Sequence, residues 1–174
     1  MARIEFKLKL ILLGESAVGK TSLIKAFVDK VFSTDYRPTI GANIFIKRVD
    51  LGAHQATLTI WDIAGQERWQ MMRTAYYRGS NVVFLVADTT RRDSFQQLET
   101  FWIPDIREQI PQDVPIYLLA NKIDLDREVD SPEVQEWAEK IGAAHVFETS
   151  AKTGTEVNTA FEQTVTDVAA KFSD

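Results

Sequence analysis

The chain has 174 residues, of which 45% are hydrophobic, and this is enough to form one well-packed domain without a second. Its 20 Lys and Arg residues are outnumbered by 25 Asp and Glu, and the net charge of −5 gives no general electrostatic reason to bind nucleic acid or an anionic membrane. The absence of cysteine excludes disulfides, thiolate metal sites and cysteine-linked lipids, and it favours a cytoplasmic location.

The first predicted strand, residues 6–13, runs into a loop with the sequence GESAVGKT, and a helix-compatible segment begins at Ser22. This order of strand, loop and helix is the context that a phosphate-binding P-loop requires. Its backbone N–H groups can surround an anion, Lys20 can reach the β- and γ-phosphates, and the Thr21 hydroxyl can bind Mg²⁺. The predicted phosphate-binding residues are Gly14, Glu15, Ser16, Ala17, Val18, Gly19, Lys20, Thr21 and Ser22.

A polar loop over residues 32–41 separates the first helix from two strand-like runs, residues 43–51 and 55–61. The short connection between the runs predicts a hairpin and therefore one antiparallel pair. Pro38 and Gly41 favour irregular backbone in the preceding loop. Its exposed aromatic and hydroxyl groups make this loop a candidate for ligand sensing.

After the hairpin, strand-like and helix-like segments alternate. Three further strands are predicted, at residues 82–87, 114–120 and 144–148. The single helix after the first of them is expected to be capped by Asp93 or Ser94, and the helix after the second by Ser131. The alternation predicts an α/β fold, a six-stranded and mostly parallel sheet with one antiparallel hairpin strand and helices on both faces.

Four polar segments follow directly from predicted strand ends: the P-loop and the segments that begin at Asp62, Asn121 and Ser150. In parallel sheets of this kind, ligands bind at the carboxyl ends of the strands. Asp62 can hold a water of the Mg²⁺ shell. Gly65 can offer its N–H to a γ-phosphate. Gln66 can orient the attacking water. Its neutral amide is too weak a base to remove a proton, so its expected role is positioning and transition-state stabilisation.

The segment NKID predicts which base is bound. Guanine presents N1–H and N2–H₂ as neighbouring donors, and one carboxylate, Asp124, can accept both; adenine would leave that carboxylate without donors. Asn121 can bond the N7/O6 side, and the Lys122 stem can lie along the ring face. Support for this loop is predicted for Ser150, Ala151 and Lys152. The Ala151 N–H is available to guanine O6.

Together, GESAVGKT, Thr39, WDIAGQE, NKID and SAK resemble, in this order and across nearly the whole chain, the Ras superfamily of small GTPases. The runs YRPTIG, IWDIAGQER and YYRG are similar to those of the Rab branch. The resemblance implies a P-loop small G domain that binds GTP and GDP with Mg²⁺ and hydrolyses GTP slowly on its own. It also implies a molecular switch, acting in membrane trafficking.

The same resemblance assigns roles that the residue pattern alone does not. Phe32 would pack against the guanine, Tyr36 would close over the phosphates, and Thr39 would bind Mg²⁺ and sense the γ-phosphate. Switch I would comprise residues 32–41 and switch II residues 64–78. The implied partners are an exchange factor, a GTPase-activating protein and effectors, with the chain acting as a monomer. The implied effector surface comprises Ile44, Trp61 and Tyr76.

The chain departs from the Rab pattern in several places. Ile44 stands where Rab proteins usually carry Phe, and Ala17 where Gly is frequent. The cysteines that carry the family's prenyl anchor are absent, so we expect no membrane anchor in this chain; either a lipidated tail is missing or the member is naturally unlipidated. Two alternatives to a GTPase switch stay open, a nucleotide-held interaction scaffold with negligible turnover and a P-loop ATPase or kinase.

Overall fold

Six strands form one mixed sheet in the computed structural model, which describes residues 4–33, 38–65 and 70–172. The strands are β1 (Ile4–Leu13), β2 (Ala42–Asp50), β3 (His54–Ile63), β4 (Val82–Asp88), β5 (Ile116–Asn121) and β6 (His145–Glu148). Their order is β2-β3-β1-β4-β5-β6, with β2 antiparallel to β3 and all the other pairs parallel. The predicted fold class is confirmed, including the antiparallel hairpin strand.

Strand β1 lies near the middle of the sheet because both of its faces are apolar. Leu8, Leu10 and Leu12 are buried in the core on one face. Ile11 and Leu13 are buried in the core on the other face, as the alternation of side chains along a strand requires. The loop that follows β1 is therefore held by a strand that is packed on both sides.

Helices cover both faces of the sheet. One face carries α1 (Lys20–Val28) and α6 (Val157–Ala170), and the other carries α2 (Gln70–Tyr77), α3 (Arg92–Gln97), α4 (Ile103–Gln109) and α5 (Ser131–Ile141). On the first face the Phe161 ring of α6 stacks on Phe27 at 4.3 Å and lies 5.2 Å from Phe84. Among the helices of the described residues, none combines the length and hydropathy needed to cross a bilayer.

The predicted cap of α3, Asp93 or Ser94, is wrong. The helix begins at Arg92, so both residues lie inside its first turn. The Ser94 hydroxyl accepts a hydrogen bond from the Asp88 N–H at 2.9 Å, and it lies within donating distance of the Arg91 carbonyl at 2.7 Å and the Asp88 carbonyl at 3.1 Å. This side chain therefore joins the helix to the end of β4 instead of capping it.

The predicted cap of α5 is also wrong, by one residue. The capping residue is Asp130, whose carboxylate accepts the Glu133 N–H at 3.0 Å. Ser131 is the first residue of the helix, and its hydroxyl donates to the Glu148 carboxylate at 2.8 Å. Asp and Ser are both common N-cap residues, so residue type alone does not show which of the two caps the helix. The extended backbone at Asp130 makes that residue the cap.

A π-helical turn, Leu98–Trp102, interrupts what was predicted as one continuous helix and separates α3 from α4. Such a turn fits one additional residue into a helix while keeping its buried side, here including Trp102, against the core. After this turn, the Asp105 carboxylate accepts hydrogen bonds from the Tyr77 hydroxyl at 2.6 Å and from Arg73 Nε at 3.3 Å. These contacts fix α2 to α4.

Replacing Phe161 with Ala is expected to lower the free energy of unfolding by about 3–5 kcal/mol, because a cavity would open between Phe27 and Phe84. Urea denaturation followed by tryptophan fluorescence measures the change. Met71→Ala, at a side chain that is 94% exposed, is the matched control and should stay within about 0.5 kcal/mol of the parent. Equal losses in the two variants would contradict this account of the core.

Candidate functional site

The carboxyl ends of the five parallel strands lie along one edge of the sheet, where a cleft of about 620 Å³ opens. It is lined by the predicted residues Ser16, Ala17, Gly19, Lys20, Thr21, Ser22, Phe32, Thr39, Gly65, Asn121, Lys122, Asp124, Ala151 and Lys152. Its wall also contains Ser33, from the loop predicted at residues 32–41, and Lys25, Val31 and Leu125, which no motif indicated. Tyr36 and Gln66 lie outside the described residues.

The P-loop closes tightly because its two glycines hold conformations that other residues rarely adopt. Gly14 has a φ of 148° and Gly19 a φ of 103°. A Cβ at Gly14 would meet the Val86 carbonyl oxygen at 2.3 Å, and one at Gly19 would meet Asn121 Nδ2 at 2.3 Å. Ala17 also lies in the left-handed region, at 67°, which explains why glycine suits this position.

Lys20 places its ammonium group inside this loop. Its side chain is buried, and Nζ donates to the carbonyl of Gly14 at 2.8 Å and to that of Glu15 at 2.9 Å. Burial lowers the pKa of Lys20 to about 8, although the nearby Asp62 carboxylate acts in the opposite direction. A bound anion would favour the charged form of this lysine, so the loop is suited to phosphate.

Three oxygen-bearing side chains meet beside Lys20. The Thr21 hydroxyl donates to Asp62 Oδ2 and lies 3.0 Å from the Thr39 hydroxyl, which is 3.4 Å from the same carboxylate oxygen. Burial raises the pKa of Asp62, while the Thr21 hydrogen bond and the Lys20 charge offset part of that rise. Among the residues that the structure describes, none donates a hydrogen bond to the buried Asp62 Oδ1. These oxygens fit the requirements of a hard divalent cation.

The NKID segment is joined to its neighbours by side-chain hydrogen bonds. Asn121 Nδ2 donates to the Val18 carbonyl at 3.0 Å, and Asn121 Oδ1 accepts from the Thr149 hydroxyl at 3.1 Å. The Ser150 hydroxyl donates to Asp124 Oδ1 at 2.7 Å. The amide of Asn121 therefore positions the P-loop, and Ser150 orients the carboxylate that was predicted to meet the base.

Sequence reasoning missed two charged residues beside the P-loop, Asp88 and Arg91. Asp88 ends β4 and is almost fully buried. Burial acts to raise the pKa of Asp88, but hydrogen bonds from Lys122 and Thr90 outweigh it and hold that pKa below the usual range. A carboxylate at the end of a buried strand, on the same edge as the other motifs, was the available signal for Asp88.

Two of the predicted effector residues, Ile44 and Trp61, lie on one face of the sheet, and the third, Tyr76, lies on helix α2 beside Trp61. Ile44 is paired with Trp61 across β2 and β3, and its side chain is 52% exposed. The Trp61 ring lies 5.9 Å from that of Tyr76 on α2. Further exposed apolar side chains lie on the same elements or next to them: Ile40 before β2, Ile46 on β2, and Met71 and Met72 on α2.

This fold and cleft define a P-loop nucleotide-binding protein, and comparison with known proteins gives the family. The sequence profile of the Ras family matches residues 9–170, and the chain belongs to that family. It is 42% identical over 170 residues to Ras-related protein Rab-2B of Dictyostelium discoideum, covering 97% of this chain and 83% of that protein. The protein is therefore a Rab-like small GTPase, an enzyme that hydrolyses GTP.

Further relatives lie at a similar distance. Ras-related protein Rab7 of Drosophila melanogaster is 42% identical over 159 residues, covering 89% of this chain and 77% of that protein. Human Ras-related protein Rab-9A is 40% identical over 168 residues, covering 93% of this chain and 83% of that protein. The resemblance inferred from the motifs is confirmed.

The buried Lys20 predicts how stability depends on pH. Folding lowers its pKa from 10.5 to about 8, so within this window the unfolded chain holds a proton that the folded chain has lost. The free energy of unfolding of nucleotide-free protein should therefore rise with pH from about 8 to 10.5, by up to about 3 kcal/mol.

Urea denaturation across this pH range measures the slope. Lys20→Met, which removes the titrating group, should show a flatter dependence than the parent protein. Parallel curves for the two proteins would contradict the assignment of the slope to Lys20.

Proposed function

We propose that this chain, as a single G domain, binds GTP and GDP with Mg²⁺ in the cleft, hydrolyses GTP there, and acts as a molecular switch in membrane trafficking. The observation that carries the proposal is Asp124, whose carboxylate lines the same cleft as the P-loop and accepts a hydrogen bond from Ser150. A phosphate-binding loop and a carboxylate suited to guanine within one cleft favour a guanine nucleotide over an adenine nucleotide. The trafficking role rests on the Rab-named relatives.

The base would lie between the NKID and SAK segments. Asp124 would accept the N1–H and N2–H₂ groups of guanine, and the Ala151 N–H would donate to O6. The Lys122 stem would lie along one ring face and Phe32 would contact the base, since both line the cleft. Lys152 also lines this part of the wall and would help to close it around the base.

Thr21, Thr39 and Asp62 would hold Mg²⁺, with Asp62 acting through a water. The buried Asp62 Oδ1 supports this role, because no donor from the described part of the chain reaches it and such an atom needs a donor or a hydrated cation. A Mg²⁺ ion held by these residues would neutralise part of the negative charge of the phosphates. The two threonine hydroxyls, one at the start of α1 and one in the loop before β2, lie 3.0 Å apart and would supply two of the oxygen ligands.

In the hydrolysis step the protein contributes positioning and charge. The Lys20 ammonium and the P-loop N–H groups would stabilise charge on the phosphates. Gln66 would orient the attacking water, and a GTPase-activating protein would supply an arginine that raises the slow intrinsic rate. Tyr36 would cover the phosphates.

Residues 32–41 and 64–78 would act as switch I and switch II. The Ala64 N–H donates to the Gly41 carbonyl at 2.9 Å, so the two segments are bonded to one another. A Cβ at Gly65 would lie 2.5 Å from the Gly14 carbonyl oxygen, which means that Gly65 packs directly on the P-loop. Loss of the γ-phosphate would remove the contacts made through Thr39 and Gly65, and effectors would distinguish the two states at Ile44, Trp61 and Tyr76.

The proposal is tested by identifying the nucleotide that copurifies with the protein and by following single-turnover hydrolysis of GTP with Mg²⁺. GDP or GTP in the purified protein and measurable phosphate release are the expected results. Bound ATP or ADP would overturn the choice of base. Tight GTP binding without turnover would instead indicate an interaction scaffold.

Asp124→Asn should weaken GDP binding by about 10²–10⁴-fold, because the amide cannot accept from both donors of guanine. Affinity for xanthosine diphosphate should rise, since the asparagine N–H₂ can donate to the additional carbonyl of xanthine. Competition against a fluorescent nucleotide measures both effects. Asp126→Asn, at an exposed neighbour, is the control and should bind GDP like the parent. Unchanged GDP affinity in Asp124→Asn would remove the basis for guanine selection.

Gln66→Leu should slow single-turnover GTP hydrolysis at least about tenfold while nucleotide affinity stays close to that of the parent, since the leucine cannot orient water. Phosphate release and GDP dissociation are measured on the same preparation. Gln96→Leu, an exposed position on α3, serves as the matched control. Parent-like hydrolysis in Gln66→Leu would exclude the proposed role for Gln66.

A further inference from the structure

Five consecutive carbonyl groups of the P-loop, those of residues 14–18, accept hydrogen bonds from side chains. Lys20 donates to the first two, and Asn121 donates to the fifth. Lys122 Nζ donates to the fourth at 2.8 Å, and Arg91 Nη2 donates to the third at 3.1 Å. A peptide group whose carbonyl is held cannot rotate freely, so the N–H groups that would meet a phosphate are held as well.

Arg91 comes from the turn between β4 and α3, and none of the sequence motifs includes it. Besides the bond to the Ser16 carbonyl, its Nη1 lies 3.5 Å from the Glu15 carboxylate and its Nε lies 3.3 Å from the Asp88 carboxylate. Each of the three guanidinium nitrogens thus has its own partner. The rigid planar guanidinium can make these three contacts together, whereas a lysine ammonium has only one nitrogen. Its side chain is about one-third exposed, and these three contacts hold the guanidinium against the P-loop.

Asp88 connects this arginine to the segment that would bind the base. Its Oδ2 lies 2.8 Å from Lys122 Nζ and 3.3 Å from Arg91 Nε. Its Oδ1 accepts from the N–H and the hydroxyl of Thr90, at 2.9 and 2.6 Å. The carboxylate is therefore fully hydrogen-bonded and buried, and two cations from different loops converge on it.

We propose that Arg91 is a positioning residue for phosphate binding: it fixes the Ser16 peptide and, through Asp88, couples the P-loop to the NKID segment. The inference rests on the proposed function, because it assigns the phosphates to the P-loop and the base to NKID. Arg91 acts on the nucleotide through the loop that it holds. Its removal should weaken retention of the diphosphate more than recognition of the base.

The experiment compares the full chain with Arg91→Ala, Arg91→Lys and Arg92→Ala. Each protein is loaded with a fluorescent GDP analogue in the presence of Mg²⁺, and its release is followed after addition of excess GDP. Arg91→Ala should release the analogue about 10- to 50-fold faster, as expected for loss of charge-assisted hydrogen bonds. Arg91→Lys, which keeps the charge beside Asp88 without the fork, should be intermediate.

Arg92→Ala is the matched control because it removes the same charge from the adjacent residue. The Arg92 guanidinium pairs with Glu133 at 2.8 Å and Glu128 at 3.2 Å, away from the P-loop. Its release rate should stay within about twofold of the parent, in keeping with the small contribution of exposed ion pairs.

A second readout separates positioning of the phosphate loop from a general loss of structure. The preference for GDP over GMP, measured by competition, should fall in Arg91→Ala by about the same factor as retention. An equal loss for GDP and GMP would overturn the inference, and so would parent-like release in both Arg91 variants. Slower hydrolysis with unchanged GDP release would also overturn it, since that result indicates direct action on the transition state.

The two proposals fail differently. If the parent protein binds no guanine nucleotide, both the proposed function and the role of Arg91 are contradicted. If the parent protein and the Arg91 variants all bind GDP equally tightly, only the role of Arg91 is contradicted. If Arg91→Ala does not fold, Arg91→Lys still decides, through its release rate and its GDP to GMP preference.

Discussion

The buried amide of Asn121 is the interaction on which the geometry of the cleft depends. It donates to the Val18 carbonyl of the P-loop and accepts from the Thr149 hydroxyl at the end of β6. One side chain thus connects the loop after β1 with the ends of β5 and β6, and its burial makes both bonds costly to leave unmade. Asn121 contacts the phosphate loop directly, and Asp124 follows it three residues later in the chain. This contact therefore sets the spacing between the phosphate loop and Asp124.

Much of the fold and of the site could be predicted because the signals are local. The double-sided apolar pattern of β1 fixed its place inside the sheet, and the strand, loop and helix order around Lys20 identified the phosphate loop. The topology then required the remaining motifs to lie on one edge, since parallel strands bring their carboxyl ends together. The cleft lining includes Asp124 and Ala151, which lie more than a hundred residues from the P-loop in sequence.

What could not be predicted depends on backbone detail or on distant partners. The π-helical turn at Leu98–Trp102 leaves the apolar pattern nearly unchanged, so periodicity does not reveal it. Asp130 and Ser131 are both good caps, and only the backbone conformation distinguishes them. Arg91 contacts residues about 75 positions earlier in the chain, and no local pattern encodes such a contact. The predictions for Tyr36 and Gln66 concern residues outside those described and stay predictions.

The backbone hydrogen bond between Ala64 and Gly41 joins the residue before β2 to the residue after β3. Because these strands form one antiparallel hairpin, both loops leave the sheet side by side at the same end. Neither loop can move away from this end of the hairpin without breaking the bond or carrying the other loop along. The residues of the two loops that adjoin the sheet are therefore held at a fixed spacing by the sheet itself.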